Sequence, residues 1–191
     1  MCPPNAAPSA ETVIRLTRVW LERAVIGLNL CPFAKAVYVK QQVRFVVSAA
    51  TTASELKAAL ITELQALTAV APEQIDTTLL IHPQVLEDFF DFNDFLLEAD
   101  AVLGELDLEG VIQIASFHPR YQFAGTAPDA LENYTNRAPF PILHLLRETS
   151  VDKAVTAFPE AEAIFEKNID TLETLGLAGW QALFTDEPDE R

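Results

Sequence analysis

Two of the three histidines of this chain, and three of its arginines, fall within one short span. It reads FHPRYQFAG at residues 117–125 and NYTNRAPFPILHLLRE at residues 133–148. A helix through PILHLLRE would place His144, Arg147 and Glu148 on one face, because side chains three and four positions apart are helical neighbours. That face offers an arginine for a carboxylate or phosphate and a histidine–glutamate pair for proton transfer. An exposed Glu–His or Arg–Glu ion pair would give the same spacing.

We predict that this span forms a site for a small anionic ligand. His118 and His144 would share acid–base chemistry, and Glu148 would orient one of them. The residues expected to bind the ligand are Arg137, Arg147, Arg120, Tyr121, Asn133, Asn136, His82 and Cys31. Such a set suits hydrolysis, isomerisation or proton abstraction equally. It therefore does not distinguish an enzyme from a ligand-binding protein, and it predicts no particular cofactor.

The polar run NYTNR at residues 133–137 has two interpretations. It offers two amides, a phenol, a hydroxyl and a guanidinium, which favours a ligand-binding loop. Asn and Thr side chains also bond to their own backbone, so the run is equally typical of a self-contained polar loop. A separate alternative is a non-catalytic interaction module, in which the polar loop is an interface and the histidines are structural.

A metal site is a further alternative. His118, His144 and Glu148 make up a two-histidine, one-carboxylate set, and Cys31 is a possible fourth donor. No HExxH or CxxC motif supports that set. Cys31 follows a predicted helix C-terminus, whose partial negative charge does not lower a thiol pKa, so a buried structural thiol is favoured. A nucleophilic role would require Cys31 to meet one of the two histidines.

These residues are positioned by alternating strand and helix patterns. The predicted strands are residues 43–49, 77–83 and 110–117, and the predicted helices are residues 10–28, 54–70, 85–106, about 141–150 and about 159–175. The alternation predicts an α/β fold: a three-stranded or slightly larger, mostly parallel sheet flanked by helices, with an N-terminal helix and two C-terminal helices. We expect one domain, residues 10–176, between a flexible leader (1–9) and an acidic tail (177–191).

The second and third predicted strands both end in a His-Pro step, at His82 and His118. Ligands of parallel α/β sheets bind beyond the carboxyl ends of the strands. The residue before a proline is held extended, which fixes a side chain at the strand tip. We therefore expect both histidines at one edge of the sheet. About twenty residues without a periodic pattern follow His118, and a loop of that length in a compact domain is usually functional or disordered.

The charge distribution excludes several partners. The net charge of −15 argues against nucleic acid and against anionic membranes, since both require a basic face. Residues 118–148 are an exception, because three Lys/Arg balance three Asp/Glu there, whereas both flanks are acidic. A site for an anion would be spared acidic neighbours in this way. No secretory signal and no long apolar run occur, and the two cysteines form no disulfide framework, so a cytoplasmic setting is expected.

Four stretches carry a resemblance to a known family: GLNLCPFAK, SFHPRYQFAGT, NYTNRAPFPILHLLRE and KNIDTLETLG. Together they resemble an uncharacterised bacterial family, the domain of unknown function numbered 1415. The resemblance spans about residues 12–176. It implies a single-domain cytoplasmic protein, and it supplies neither an activity nor catalytic residues.

Overall fold

The computed structural model describes residues 8–157 and 163–185 of the chain. The chain forms four strands within these ranges: β1 (Val43–Val47), β2 (Thr77–Ile81), β3 (Ile112–Phe117) and β4 (Ile142–Arg147). The helices are α1 (Ala10–Trp20), a π-helical continuation (Leu21–Ile26), α2 (Ala34–Val39), α3 (Ala53–Thr68), α4 (Phe89–Glu105), a 3-10 helix (Leu131–Asn136), α5 (Glu148–Ala157) and α6 (Ile164–Ala182). The α/β class, with an N-terminal helix and C-terminal helices, is confirmed.

The sheet has the order β1-β2-β4-β3 and is mixed, not mostly parallel as the alternation of strands and helices predicted. β1 and β2 pair in parallel, and β4 lies antiparallel between β2 and β3. Because β4 is inverted relative to both neighbours, β1, β2 and β3 all run in the same direction. Their carboxyl ends therefore lie at one edge of the sheet, which is the edge that the two His-Pro steps predict.

The prediction of a helix over residues 141–150 is wrong, because residues 142–147 form β4. Four of the six residues in ILHLLR are apolar, and a central strand covered on both faces has a similar composition. Periodicity does not separate a short apolar run of this kind into helix or strand. Only Glu148 and the residues after it are helical, in α5.

Helices cover both faces of the sheet. α3 and α4 pack on one face, where the core includes Leu80, Leu143 and Leu145; we call this the α3/α4 face. α1, its π-helical continuation and α6 pack on the opposite face, where the core includes Leu79 and Ile142; we call this the α1/α6 face. Neighbouring positions of a strand point to opposite faces, so alternate residues of β2 and β4 supply the two cores.

Two helix ends differ from the prediction. The first helix, predicted to residue 28, changes into the wider π-helix at Leu21 and ends before Gly27. The last helix was expected to end at Gly176, but that residue adopts a left-handed φ of 66° and the helix resumes to Ala182. Part of the expected acidic tail is thus helical, and Trp180 within it is buried. The beginning of the expected leader, residues 1–7, lies outside the described residues.

No helix within residues 8–157 and 163–185 is long and apolar enough to cross a membrane.

Candidate functional site

Two buried histidines stand at the carboxyl edge of the sheet. His82 follows the last residue of β2, and His118 follows the last residue of β3. Their backbone N–H groups donate to the chain that leads into β4, at the carbonyls of Pro141 (3.1 Å) and Asn136 (3.1 Å). Both side chains are fully buried. The expectation that these histidines share one edge is confirmed by the strand directions and these two bonds.

Phe92 of α4 stacks against both imidazoles on the α3/α4 face. Its ring centroid lies 5.6 Å from that of His82 and 5.1 Å from that of His118, and the interplanar angles are 28° and 29°. Phe89, one helical turn earlier, lies 5.5 Å from His118. Aromatic contacts of this kind fix the position of each imidazole without using its nitrogen atoms.

One tight turn fixes the protonation pattern of both rings. Nδ1 of His82 lies 3.0 Å from the carbonyl oxygen of Val85, and Nε2 of His118 lies 3.3 Å from that of Leu86. A carbonyl only accepts, so each of these ring nitrogens carries the hydrogen. Nδ1 of His118 accepts from the backbone N–H of Arg120 at 3.0 Å. Leu86 adopts a φ of 56°, which is unusual for a leucine.

The remaining nitrogen of His82 is left without a partner. Among the described residues, Nε2 of His82 is one of two buried side-chain polar atoms that make no hydrogen bond, and the other is Oγ1 of Thr78. Because Nδ1 carries the hydrogen, Nε2 presents a lone pair. Buried polar atoms are nearly always satisfied, so an unsatisfied acceptor needs an explanation.

Both imidazoles are held in the neutral form. The pKa of His82 is lowered to about 4, mainly by burial and to a smaller extent by the neighbouring His118. Burial also lowers the pKa of His118, with a smaller contribution in the same direction from the Arg120 guanidinium. The pair therefore offers neutral hydrogen-bonding groups at neutral pH, and an anion would meet no imidazolium here.

Arg120 and Tyr121, which follow His118, contact the residues on either side of the turn that binds His82 and His118. The Arg120 guanidinium donates to the carbonyl of Glu87 and lies 3.4 Å from the Asp88 carboxylate. Its side chain is 63% exposed. Tyr121 packs on Phe89 at 5.2 Å. Arg120 is thus the arginine that lies at the two-histidine edge.

Arg137, by contrast, is bound within the loop that follows β3. Its Nε–H and Nη2–H groups donate to the carbonyls of Tyr121 and Pro128, and its guanidinium lies 4.2 Å from the ring centre of Tyr134. These contacts tie the two ends of the loop together.

The two asparagines of the NYTNR run also bond to protein atoms. Asn133 is buried; it accepts from Phe123 N–H and the Thr126 hydroxyl and donates to the Ala127 carbonyl. Nδ2 of Asn136 donates to the Ser116 carbonyl. The run therefore has the arrangement of the self-contained loop considered above.

Arg147 also binds protein carbonyls. Its Nη2 lies 2.6 Å from the carbonyl oxygen of Leu67 and 2.7 Å from that of Val70, and its Nε lies 3.4 Å from that of Ile75. These oxygens belong to the end of α3 and the turn after it, where helical carbonyls lack intrahelical partners. Arg147 therefore caps α3 from the α3/α4 face.

His144 lies on the opposite face. It pairs with Leu79 in the sheet, while Arg147 pairs with Ile112 three positions later, so the two side chains point to different sides. Nε2 of His144 lies 2.6 Å from Oγ1 of Thr77, whose hydroxyl donates to the Leu145 carbonyl. The shared face expected for His144, Arg147 and Glu148 is therefore wrong.

No metal centre assembles from the predicted donors. His118 lies on the α3/α4 face and His144 on the α1/α6 face, so the expected His118, His144 and Glu148 set is not brought together. Within residues 8–157 and 163–185, no three His, Cys, Asp or Glu side chains are grouped closely enough to hold an ion.

Cys31 packs at the edge of the α1/α6 core as a free thiol. Burial raises its pKa, and backbone hydrogen bonds from Phe33 and Ala34 oppose that shift only in part. A raised pKa keeps the thiol protonated and unreactive. Cys31 lies across the sheet from His118, which matches the structural interpretation of this residue.

Sequence reasoning missed one feature of the site, the turn at Val85 and Leu86. These residues read as the start of the next helix, which instead begins at Phe89 with Asp88 as its N-cap. The His-Pro step does signal His82 as a fixed side chain. Nothing in the sequence VLED (residues 85–88) predicts that Leu86 is left-handed or that the carbonyls of Val85 and Leu86 accept hydrogen bonds from the two histidines.

The chain matches the family model described as "Protein of unknown function (DUF1415)" over residues 12–182. It therefore belongs to that family, in agreement with the resemblance of the four stretches. No curated protein and no solved structure matches the chain.

Proposed function

We propose that this member of the DUF1415 family binds a small metabolite at the carboxyl edge of the sheet, with Nε2 of His82 as the acceptor of a ligand hydrogen bond. The observation that carries the proposal is the buried, unpartnered lone pair of that nitrogen. A hydroxyl or amine group of a ligand would satisfy it. The position, beyond the ends of co-directional strands, is where α/β proteins bind ligands.

The rigidity of the surroundings supports this proposal. The carbonyls of Val85 and Leu86 select one tautomer for each imidazole, and Phe92 fixes the orientation of both rings. The left-handed Leu86 is a residue in a sparsely populated conformation, and such residues are concentrated at functional sites. A lone pair that is held in place before the ligand arrives is a feature of preorganised binding sites.

The anionic part of the ligand is assigned to Arg120. All three arginines of the predicted set bind backbone carbonyls, but the Arg120 guanidinium, which contacts the Glu87 carbonyl and the Asp88 carboxylate, lies beside His118 and is 63% exposed. A small hydroxycarboxylate combines the two required features: a hydroxyl that donates to His82 and an anion that pairs with Arg120. Catalytic roles for His118, His144 and Glu148 stay predictions.

Entry of a ligand requires the Arg120 segment to open, since both histidines are buried. The contact that holds it includes an ion pair between Arg120 and Asp88, whose side chains are 63% and 50% exposed. Exposed pairs of this kind stabilise by about 1 kcal/mol at most, so this ion pair adds little to the cost of opening.

The test compares hydroxycarboxylates with the matched acids that lack the hydroxyl: glycolate with acetate, lactate with propionate, and malate with succinate. We expect saturation-transfer NMR to detect binding of at least one hydroxy acid and a clearly weaker signal from its partner. His82→Asn is the informative variant, because its amide can still donate to Val85 but lacks the Nε2 acceptor. It should lose this binding.

His144→Gln is the matched control, since it replaces a histidine on the opposite face and should leave binding unchanged. The proposal is overturned if no hydroxy acid binds, if the hydroxy and deoxy acids bind equally, or if His82→Asn binds as the wild type does. Urea unfolding of each variant confirms beforehand that it is folded.

The polar loop is less well suited to be the interface of an interaction module. Asn133, Asn136 and Arg137 direct their polar groups to the loop itself and to the adjoining strand. A cytoplasmic location is part of the present proposal, and the free thiol of Cys31 supports it.

A further inference from the structure

We infer that the outer edge of strand β1 is a docking site for an extended, acidic segment of a partner protein, which adds to the sheet as a fifth strand. β1 lies at one end of the order β1-β2-β4-β3 and pairs only with β2. This side edge is distinct from the carboxyl edge that carries His82 and His118, and the docking site does not depend on the function proposed above.

Every second residue of β1 directs its backbone groups away from the sheet. The carbonyl of Gln42 accepts from the N–H of Thr77 at 3.3 Å, and the N–H of Ser48 donates to the carbonyl of Ile81 at 2.8 Å. Because the backbone groups of successive residues alternate between the two sides of a strand, the even-numbered residues face β2. The N–H and carbonyl groups of three residues therefore point outward: Val43, Phe45 and Val47.

These six outward groups are unpaired. Within residues 8–157 and 163–185, no other group of the chain makes a hydrogen bond to them. The other edge strand, β3, differs, because its Ile112 N–H donates to the Leu108 carbonyl and its Ser116 carbonyl accepts from Nδ2 of Asn136. A row of unpaired N–H and carbonyl groups is the template onto which a further strand pairs.

A cavity of about 530 Å³ lies beside this edge. It is lined by Arg18, Tyr38, Val39, Gln41, Val43 and Phe45. Val39 is 71% exposed, although it is apolar. Alternate side chains of an added strand point to the same face as Val43 and Phe45, so apolar side chains of the partner would enter this cavity and cover Val39.

The charge around the edge favours an acidic partner. Residues 23–54 hold four Lys/Arg and no Asp/Glu, although the chain as a whole has a net charge of −15. Lys35 and Lys40, at the two ends of α2, are exposed and form no ion pair with a carboxylate of the described residues. Lys40 stands between two residues that line the cavity.

Two carboxylates from neighbouring helices also lie near this edge. Glu63 of α3 pairs with Arg44, and Glu22 of the π-helix accepts from the Tyr38 hydroxyl, which also contacts Arg18. These carboxylates offset the charges of Arg44 and Arg18. Lys40 is therefore the cation that is left for acidic side chains of the partner.

A second copy of this chain is a less suitable occupant of the edge. The Arg18 guanidinium lies 4.3 Å from the ring centre of Phe45. Antiparallel pairing of two β1 strands about Phe45 would bring the two Arg18 side chains together, and like charges on directly opposed residues are destabilising.

The test uses the full-length protein and two short synthetic peptides, one that alternates valine with glutamate and a control that alternates valine with lysine. Hydrogen exchange followed by ¹H–¹⁵N NMR reports each N–H of β1. In the free protein we expect fast exchange at Val43, Phe45 and Val47 and slow exchange at Arg44 and Val46, which face β2. The glutamate peptide should slow exchange at the first three, and the lysine peptide should not.

Two substitutions separate the backbone and charge contributions. Val47→Pro removes one outward N–H, which proline tolerates at a strand edge, whereas its control Val47→Thr retains it. Val47→Pro should weaken binding of the glutamate peptide by roughly fivefold, the effect of losing one hydrogen bond. Lys40→Gln should weaken it by up to roughly fivefold, and Lys57→Gln, which changes a lysine paired with Glu105 of α4, should not.

A glutamate peptide with N-methyl groups on the amides of one edge tests the same hydrogen bonds with the wild-type protein, and it should not bind. The docking site is refuted if the glutamate peptide does not bind, if the lysine or N-methylated peptide binds as tightly, or if Lys40→Gln binds as Lys57→Gln does. Sedimentation that shows a dimer in which Val43, Phe45 and Val47 exchange slowly would also overturn it, because a second copy would then occupy the edge.

Discussion

At the scale of single residues, backbone carbonyls determine what the functional-looking side chains can do. Carbonyls fix the tautomers of His82 and His118 and bind the guanidiniums of Arg137 and Arg147. Burial keeps these two histidines neutral against the opposing effect of their carbonyl hydrogen bonds, and the two arginines stabilise the fold. The unpartnered nitrogen of His82 is the exception, which is why the proposed site is centred on it.

The desolvated rings of His82 and His144 make stability depend on pH. The pKa of His82 and of His144 falls from the ordinary value of 6.5 to about 4 on folding, because both rings are desolvated. Between these two values the unfolded chain binds more protons than the folded chain, so stability is full above about pH 6.5 and is lost as the pH falls towards 4. The loss is at most about 1.4 kcal/mol per pH unit for each histidine.

Urea unfolding at pH 7.0 and at pH 5.0 measures this dependence. The free energy of unfolding of the wild type should be lower at pH 5.0. His82→Asn and His144→Gln each remove one titrating ring, so each should show a smaller loss between the two pH values. An equal loss in all three proteins would contradict the neutral assignment of these imidazoles.

Arg147 is predicted to act on stability. Arg147→Met removes a charged donor from the carbonyls of Leu67, Val70 and Ile75. Because hydrogen bonds to a charged group stabilise by about 1.5–3 kcal/mol, we expect a loss of about 3 kcal/mol in urea unfolding. Arg147→Lys keeps the charge but not the planar set of donors. Its free energy of unfolding should therefore lie between those of the wild type and Arg147→Met. A full-stability Arg147→Met protein would show that the cap is not needed.

At the scale of elements, strand β4 determines the positions of His144 and Arg147, and the π-helix determines those of Asn29 and Cys31. β4 separates His144 from Arg147 because alternate strand residues point to opposite faces. The π-helix brings the chain to Asn29 and Cys31 through a turn in which Gly27 leaves no room for a side chain.

Gly27→Ala tests the turn after the π-helix. A Cβ atom at this position would lie 2.3 Å from the carbonyl oxygen of Arg23, which is backbone and has little freedom to move. Overpacking of this kind typically destabilises by about 1–3 kcal/mol, and we expect that loss in thermal or urea unfolding.

Gly104→Ala is the matched control in α4. A Cβ there would meet only the side-chain end of Glu109, at 3.2 Å, and alanine favours the helix by roughly 0.5–1 kcal/mol. It should be neutral or stabilising. If the two substitutions had the same effect, the close approach at Gly27 would be refuted.

At the scale of the whole molecule, two separate cores hold the sheet between helical layers. The α1/α6 core depends on the last helix, because Trp180 packs edge-on against Tyr134 of the 3-10 helix and against Phe184. α6 thereby holds the loop that leads into β4, although it is far from that loop in sequence. The loop in turn accepts the backbone bonds of His82 and His118.

Trp180→Ala should therefore destabilise the protein as a whole. Trp180 is 8% exposed, and truncation of a buried tryptophan typically costs about 3–5 kcal/mol. Leu177→Ala in the same helix is the control, since Leu177 is 46% exposed and its change should stay within about 0.5 kcal/mol. Hydrogen exchange should also quicken at residues 131–136 in Trp180→Ala, and unchanged exchange there would contradict the link between α6 and the loop.

The sequence was sufficient for the parts of the fold that carry a clear period or turn signal. The first three strands, the helices between them and the common edge of His82 and His118 follow from alternating patterns and His-Pro steps. β4 was not predictable in the same way, because ILHLLR reads alike as a buried helix or a central strand. Because a helix was predicted there, His144 and Arg147 were expected on one face. The predicted cluster of His144, Arg147 and Glu148 was therefore incorrect.

The roles of the polar residues were harder to predict for a different reason. Whether an arginine binds a ligand or a backbone carbonyl depends on residues that are far away in the sequence, such as Leu67 and Ile75 for Arg147. The local sequence around the arginine therefore does not predict which of the two it binds. The same applies to Leu86. It adopts a left-handed conformation in the turn whose two carbonyls, of Val85 and Leu86, accept hydrogen bonds from His82 and His118.

The central claim is that Nε2 of His82 is a free acceptor that a ligand occupies. Long-range ¹H–¹⁵N NMR of the histidine rings at pH 7 tests it most directly, recorded alone and with the hydroxycarboxylate that binds best. We predict that Nε2 of His82 carries no proton in the free protein and that its ¹⁵N resonance shifts on ligand addition, while the ring resonances of His144 stay in place. A protonated Nε2 in the free protein, or a resonance unmoved by a ligand that binds, would contradict the claim.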